Sequence, residues 1–264
     1  MEPQEHQQLL TVREQREHSF DRALIVMATG QYNPYIHELL ASRRQHFPSH
    51  VYLFTDQHHD EPNLTSIYIR DHGWPMIPLL RFEAITGCAE LYREPYLFMI
   101  DAETRFERQV TASSPLVAVL HRNIMRFRDA YNYEDRAEST AYVAPGEGEK
   151  HFACGFVGGQ RDEFLRMAEK IAHNIRADID RGIRARWGDE SHLNRYLIDN
   201  RPTLVLPPSY MCPEGNPYFT PYITHLNKTF KVINKPDTDA YLAVAPKDYQ
   251  DVWGMSQGVL PRKQ

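Results

Sequence analysis

The chain has 264 residues, 42% hydrophobic and 25% charged, the proportions of an ordinary globular protein with enough apolar material for a core. A net charge of −5 supplies no basic field for nucleic acid or an anionic membrane. Three widely spaced cysteines, Cys88, Cys154 and Cys212, form neither a zinc-site nor a disulfide pattern and fit a reducing compartment.

Residues 1–22 read as a flexible or helical lead-in, polar and charged and without the apolar centre of a targeting signal. A single domain is expected over 23–264. ALIVMATG (23–30) is a continuous apolar run ending in Thr-Gly, the pattern of a buried strand feeding a loop. NPYIHELLASRRQHF follows with helical spacing of Ile36, Leu39 and Leu40. HVYLFTD (50–56) predicts a second strand ending in an acid, NLTSIYIRD (63–71) alternates as a third, and PLLRFEAITGCAELY (78–92) is helical. YLFMIDAE (96–103) predicts another buried strand ending in carboxylates. FACGFVGG (152–159) is strand-like and glycine-rich, and RDEFLRMAEKIAHNIRADIDRGIRARW predicts a long helix. TLVLPPSY (203–210) and TFKVIN (229–234) read as late strands, with a Pro/Gly-rich loop between 207 and 221. No run reaches transmembrane length, so a cytoplasmic chain with no membrane span is expected.

Strands alternating with helices predict an α/β sheet, and in such sheets ligands sit at the carboxyl ends of the strands. Two strands end there in acids, Asp56 and Asp101. Neither a G-x-G-x-x-G nor a Walker A sequence is present, which counts against dinucleotide and P-loop readings. A strand ending Asp101-Ala102-Glu103 puts two carboxylates on one side, since side chains alternate with period two. Such hard oxygen ligands suit Mn²⁺ or Mg²⁺; the plainer reading is a solvated strand end. The small residues of FACGFVGG allow close approach of a ligand or of a packed neighbour. Arg81 interrupts an apolar helix face and reads locally as a structural ion pair, and His121 as a satisfied core histidine. Asp189 and Glu190, side by side after Trp187-Gly188, either cap a helix or place a catalytic carboxylate at its start.

HVYLFTDQ, LLRFEAI, YLFMIDAETRF, YNYEDRAESTAYVAPGEGEKHFACGFVGG and WGDESHLNRYLIDNRPTLVLPPSY occur together and in order. In these stretches the chain resembles glycosyltransferase family 6, which holds the ABO blood-group transferases and α1,3-galactosyltransferase, over residues 23–253 or so. The resemblance implies a GT-A fold: a mixed, mostly parallel sheet flanked by helices, with a nucleotide-sugar half over about 23–110, an acceptor half over about 111–240 and a tail over 241–264. It implies retaining transfer of N-acetylgalactosamine or galactose from a UDP-sugar donor to the 3-hydroxyl of a galactose-terminated glycan acceptor, fucosylated in some members. The missing anchor and stem look like those of the short bacterial or phage members.

Carried over by position, the resemblance assigns donor binding to Met27, Thr29, Tyr32, Arg81, Asp101, Ala102, Asp189 and the tail lysine Lys247, and donor selection to Ala153, Cys154 and Gly155. It gives the acceptor His121 and Trp187, and makes Glu190 the catalytic carboxylate. The family's D-x-D falls on Asp101 and Glu103, a departure at the third position; both remain anionic, so Mn²⁺ is the expected cofactor with Mg²⁺ a weaker substitute. The tail arginine expected after Lys247 is Trp253, and the acceptor-binding aspartate falls in MCPEG, where Glu214 stands in. Small residues at 153 and 155 favour UDP-N-acetylgalactosamine as donor. Retention calls for a carboxylate that attacks, or stabilises, an oxocarbenium-like centre, a task for Glu190 in either case. Two other readings compete. One is a catalytically silent sugar- or nucleotide-binding protein on the same fold. The other is a nucleotidyltransferase, to which ATGQYNP is a poor match.

Overall fold

A computed structural model of the protein describes residues 12–122 and 133–228. Eight strands form one mixed sheet in the order β1-β4-β3-β2-β5-β8-β7-β9. They are β1 (Val12–Gln15), β2 (Arg22–Ala28), β3 (His50–Thr55), β4 (Leu64–Tyr68), β5 (Tyr96–Asp101), β7 (Leu116–Leu120), β8 (Phe152–Gln160) and β9 (Leu204–Leu206). The β4-β3-β2-β5 block is parallel, as is the β7-β9 pair. β8 runs antiparallel to both β5 and β7, and β1 antiparallel to β4. A small second sheet joins β10 (Cys212–Pro213), β11 (Ile223–His225) and β6 (Thr104–Phe106).

The apolar runs of β2, β3 and β5 follow from burial on both faces. Alternate residues of β2 enter two cores. Ala23 and Ile25 meet α2 (Met76–Gly87), α3 (Arg161–Asp180) and α4 (Asp189–Asp199), while Leu24, Val26 and Ala28 meet α1 (Ile36–His46). In α3 the buried stripe Phe164, Met167, Ala168, Ile171, Ile175 keeps helical spacing, with Asp162 and Glu163 in the first turn. The mixed, mostly parallel sheet flanked by helices is the architecture expected of a GT-A fold.

Several details depart from expectation. Residues 12–15 of the lead-in are an exposed polar edge strand rather than helix. The stretch 78–92 divides into α2 and a 3₁₀ turn, Ala89–Leu91. Strands β6, β7, β10 and β11 lie where none is expected. Asp56 accepts hydrogen bonds from the Gly30 N–H (3.1 Å) and Asn33 Nδ2 (2.7 Å), so it braces the turn after β2. The expected strand at 229–234 lies outside the described residues.

Candidate active site

A cavity of about 410 Å³ opens beside the carboxyl ends of β2 and β5, the volume of a small-molecule pocket. Its wall brings together Met27, Tyr32, Arg81, Asp101, Ala102 and Glu103 with Cys154, Gly155, Trp187, Asp189 and Glu190 from the far half of the chain. Antiparallel β8 carries Cys154 and Gly155 in beside the end of β5. A Cβ on Gly155 would collide with the Asp101 carboxylate and the Met211 side chain, so glycine is what allows that approach. Gly188, at φ +58°, turns the chain between Trp187 and α4 in the left-handed region that favours glycine.

Arg81 links the two halves. Its Nη1 donates to Asp101 Oδ1 at 2.9 Å, and its Nη2 donates to the Cys154 carbonyl at 3.1 Å and pairs with Asp189. Burial opposes its charge, but Asp189 and Asp101 outweigh that and hold its pKa well above the usual value. Burial raises the pKa of Asp189, with Arg81 pulling the other way. The ion pair read locally at Arg81 is therefore present, and it lies on the cavity wall.

Glu190 sits in the first turn of α4, and its Oε2 accepts the Cys154 N–H at 3.1 Å. Burial raises its pKa to about 7; the Cys154 N–H opposes the rise, and Asp189 and Asp101 add to it. The partners of Asp189 and Glu190 thus lie on α2 and β8, which is not the arrangement of helix caps. Trp187 stands half exposed at the rim, a ring face available to a sugar.

Glu103 is buried and paired with Lys228 (3.0 Å) and His225 (3.6 Å). Burial alone would raise its pKa, but the His225 hydrogen bond and the Lys228 charge hold it down at about 2. Lys228 also donates to the Tyr32 hydroxyl at 3.2 Å and lies over that ring. One ligand atom each from Asp101, Glu103 and His225 lies within 4.8 Å of the others. Two carboxylate oxygens and an imidazole nitrogen fit Mn²⁺ by donor chemistry, so these residues could hold the implied metal, in competition with the Lys228 ammonium.

Four of the remaining expected residues, Thr29, Ala153, His121 and Glu214, sit off the wall. Thr29 is buried and donates to Asp71 at 2.9 Å. Ala153 is buried in β8. The His121 ring packs against His151, 5.2 Å between centroids. Exposed Glu214 accepts the Asn227 N–H at 3.1 Å and steadies the segment that presents Lys228. Lys247 lies outside the described residues. Sequence reasoning missed Trp74, Ile77 and Lys228 on the wall, and His225 beside it; none stands in a motif, and only the fold brings them in. Among the described residues no helix is long and apolar enough to cross a membrane.

The family model for glycosyltransferase family 6 matches residues 6–235. The chain is 33% identical to the human globoside alpha-1,3-N-acetylgalactosaminyltransferase 1, over 73% of this chain and 61% of that protein. It is 32% identical to the rat histo-blood group ABO system transferase 1, over 71% of this chain and 60% of that protein. It is 26% identical to the O-antigen biosynthesis glycosyltransferase WbnI of Escherichia coli, over 72% of this chain and 87% of that protein. The matched part thus spans about three fifths of the length of the two mammalian relatives. With a match across most of its length, and with the family's distant motifs folded onto one cavity, the chain belongs to glycosyltransferase family 6.

Proposed function

We propose that the protein is a retaining α1,3-hexosyltransferase that moves N-acetylgalactosamine, or galactose, from a UDP-sugar to the 3-hydroxyl of a galactose-terminated acceptor. The observation that carries this reading is the convergence of Arg81, Asp101, Asp189 and Glu190 from three elements, α2, β5 and α4, onto one cavity wall. The relatives' printed names, which include an alpha-1,3-N-acetylgalactosaminyltransferase, support the bond and the sugar.

On this reading the diphosphate lies toward Asp101, Glu103 and Lys228, and the donor sugar toward Asp189 and Arg81. The acceptor stacks on Trp187. A bound Mn²⁺ would stabilise the departing UDP as a Lewis acid. Glu190, held by the Cys154 N–H, presents a carboxylate to the anomeric carbon, as nucleophile or as stabiliser of positive charge. Gly155, on the wall beside Asp101, carries no side chain that would crowd an acetamido group, and such a difference shifts discrimination by about 1–3 kcal/mol.

The test is UDP release from UDP-N-acetylgalactosamine and UDP-galactose, each with a panel of galactose-terminated acceptors, with and without fucose. Acceptor-dependent release with higher kcat/KM for the acetamido sugar is expected. Higher kcat/KM with UDP-galactose removes the donor assignment, and nucleotide binding without release leaves a silent binding protein.

A further inference from the structure

His151 immediately precedes β8 and is only 4% exposed. Its main chain is fixed, because its carbonyl accepts the His121 N–H at 2.8 Å and Phe152, next along, exchanges hydrogen bonds with Asn194. Its ring is fixed too, packed edge-on by His121 (5.2 Å) and Tyr133 (5.6 Å). Yet Nε2 is buried with no hydrogen-bond partner among the described residues. It faces Glu190 Oε1 across 3.9 Å, about one ångström beyond a hydrogen bond.

Buried polar atoms almost always have partners, and an orphan in a packed site calls for a reason. The two oxygens of Glu190 supply it. Oε2 is tied to the Cys154 N–H, while Oε1 looks toward the orphan nitrogen. We infer that His151 is a positioning residue for Glu190, whose Oε1 closes onto the fixed Nε2–H when donor sugar fills the cavity, so that the carboxylate is held on both oxygens. This rests on the transferase reading above. Burial holds the imidazole pKa down at about 4, so the ring is a neutral donor that orients the carboxylate without cancelling its charge. Arg81, Asp189 and Asp101 set the charge around Glu190 from the other sides.

The test uses the full chain with His151→Phe, which keeps the ring and removes the donor, and His151→Gln, which returns an N–H near the Nε2 position. The Phe variant should lose kcat by about tenfold to a hundredfold, with both KM values and UDP affinity within about twofold. The Gln variant should recover most of that loss. Ring ¹⁵N shifts of His151 in the wild-type protein with UDP bound give a reading independent of any variant's folding; a neutral ring with its proton on Nε2 is expected. The inference falls if the Phe variant keeps its kcat, if the Gln variant is as impaired as the Phe variant, or if Nε2 carries no proton. A wild-type protein that turns over no UDP-sugar overturns the transferase reading itself, and the tautomer is still read in that case.

Discussion

Glu190 holds one oxygen on the Cys154 N–H, in surroundings that raise its pKa to about 7. If the ionised carboxylate serves the anomeric centre, kcat/KM should fall as pH drops below about 7, since protonation removes the working form. Glu190→Gln should lose at least about a hundredfold in kcat while UDP affinity is kept; a variant with comparable kcat would remove Glu190 from the chemistry. The same shift acts on stability. A carboxylate whose folded pKa lies above its ordinary value of 4.5 costs nothing at lower pH, and its destabilisation grows between 4.5 and about 7 and is complete above that. Glu190→Gln should therefore melt above the wild type at about pH 8 and level with it at about pH 4. Equal melting temperatures at both values would mean the group is not strained by burial.

Asn194, one turn along α4 from Glu190, couples that helix to β8. Its Oδ1 accepts the Phe152 N–H (2.8 Å), and its Nδ2 donates to the Phe152 carbonyl (2.9 Å) and the Glu190 carbonyl (2.8 Å). Asn194→Leu should destabilise the fold by about 2 kcal/mol, because it strands two buried backbone groups, and should lower kcat by letting α4 shift against Cys154. A variant with unchanged melting and kcat would show that α4 and β8 are held by packing alone. The Asp-Glu-Ser-His-Leu-Asn run was legible as a motif, but this coupling was not, because its partner lies 42 residues away. The long elements were legible because their periodicity reports their burial: β2, β3 and β5 as apolar runs, α3 as a stripe. The edge strand β1 is exposed and polar, and β6, β10 and β11 have two or three residues each, too few to show a period.

The chain is acidic overall, yet its cavity gathers Arg81 and Lys228 on the wall with His225 beside them. Each meets a carboxylate of the Asp101–Glu103 pair, and none is near it in sequence, so the sequence showed two bare acids where the fold shows acids already partnered. Asp101, Glu103 and His225 together, rather than the two acids alone, form the donor set that suits Mn²⁺. EDTA should abolish turnover, with Mn²⁺ restoring it better than Mg²⁺, and Asp101→Asn should weaken Mn²⁺ binding measured by electron paramagnetic resonance. Full activity in EDTA would leave Arg81 and Lys228 to carry the diphosphate charge. The central claim, that this cavity performs retaining transfer, is tested most directly by following the reaction of UDP-N-acetylgalactosamine with a galactose-terminated acceptor by proton NMR. The account expects an α1,3-linked product from the first turnover, the donor's own configuration; a β-linked product, or none with any UDP-hexose, would contradict it.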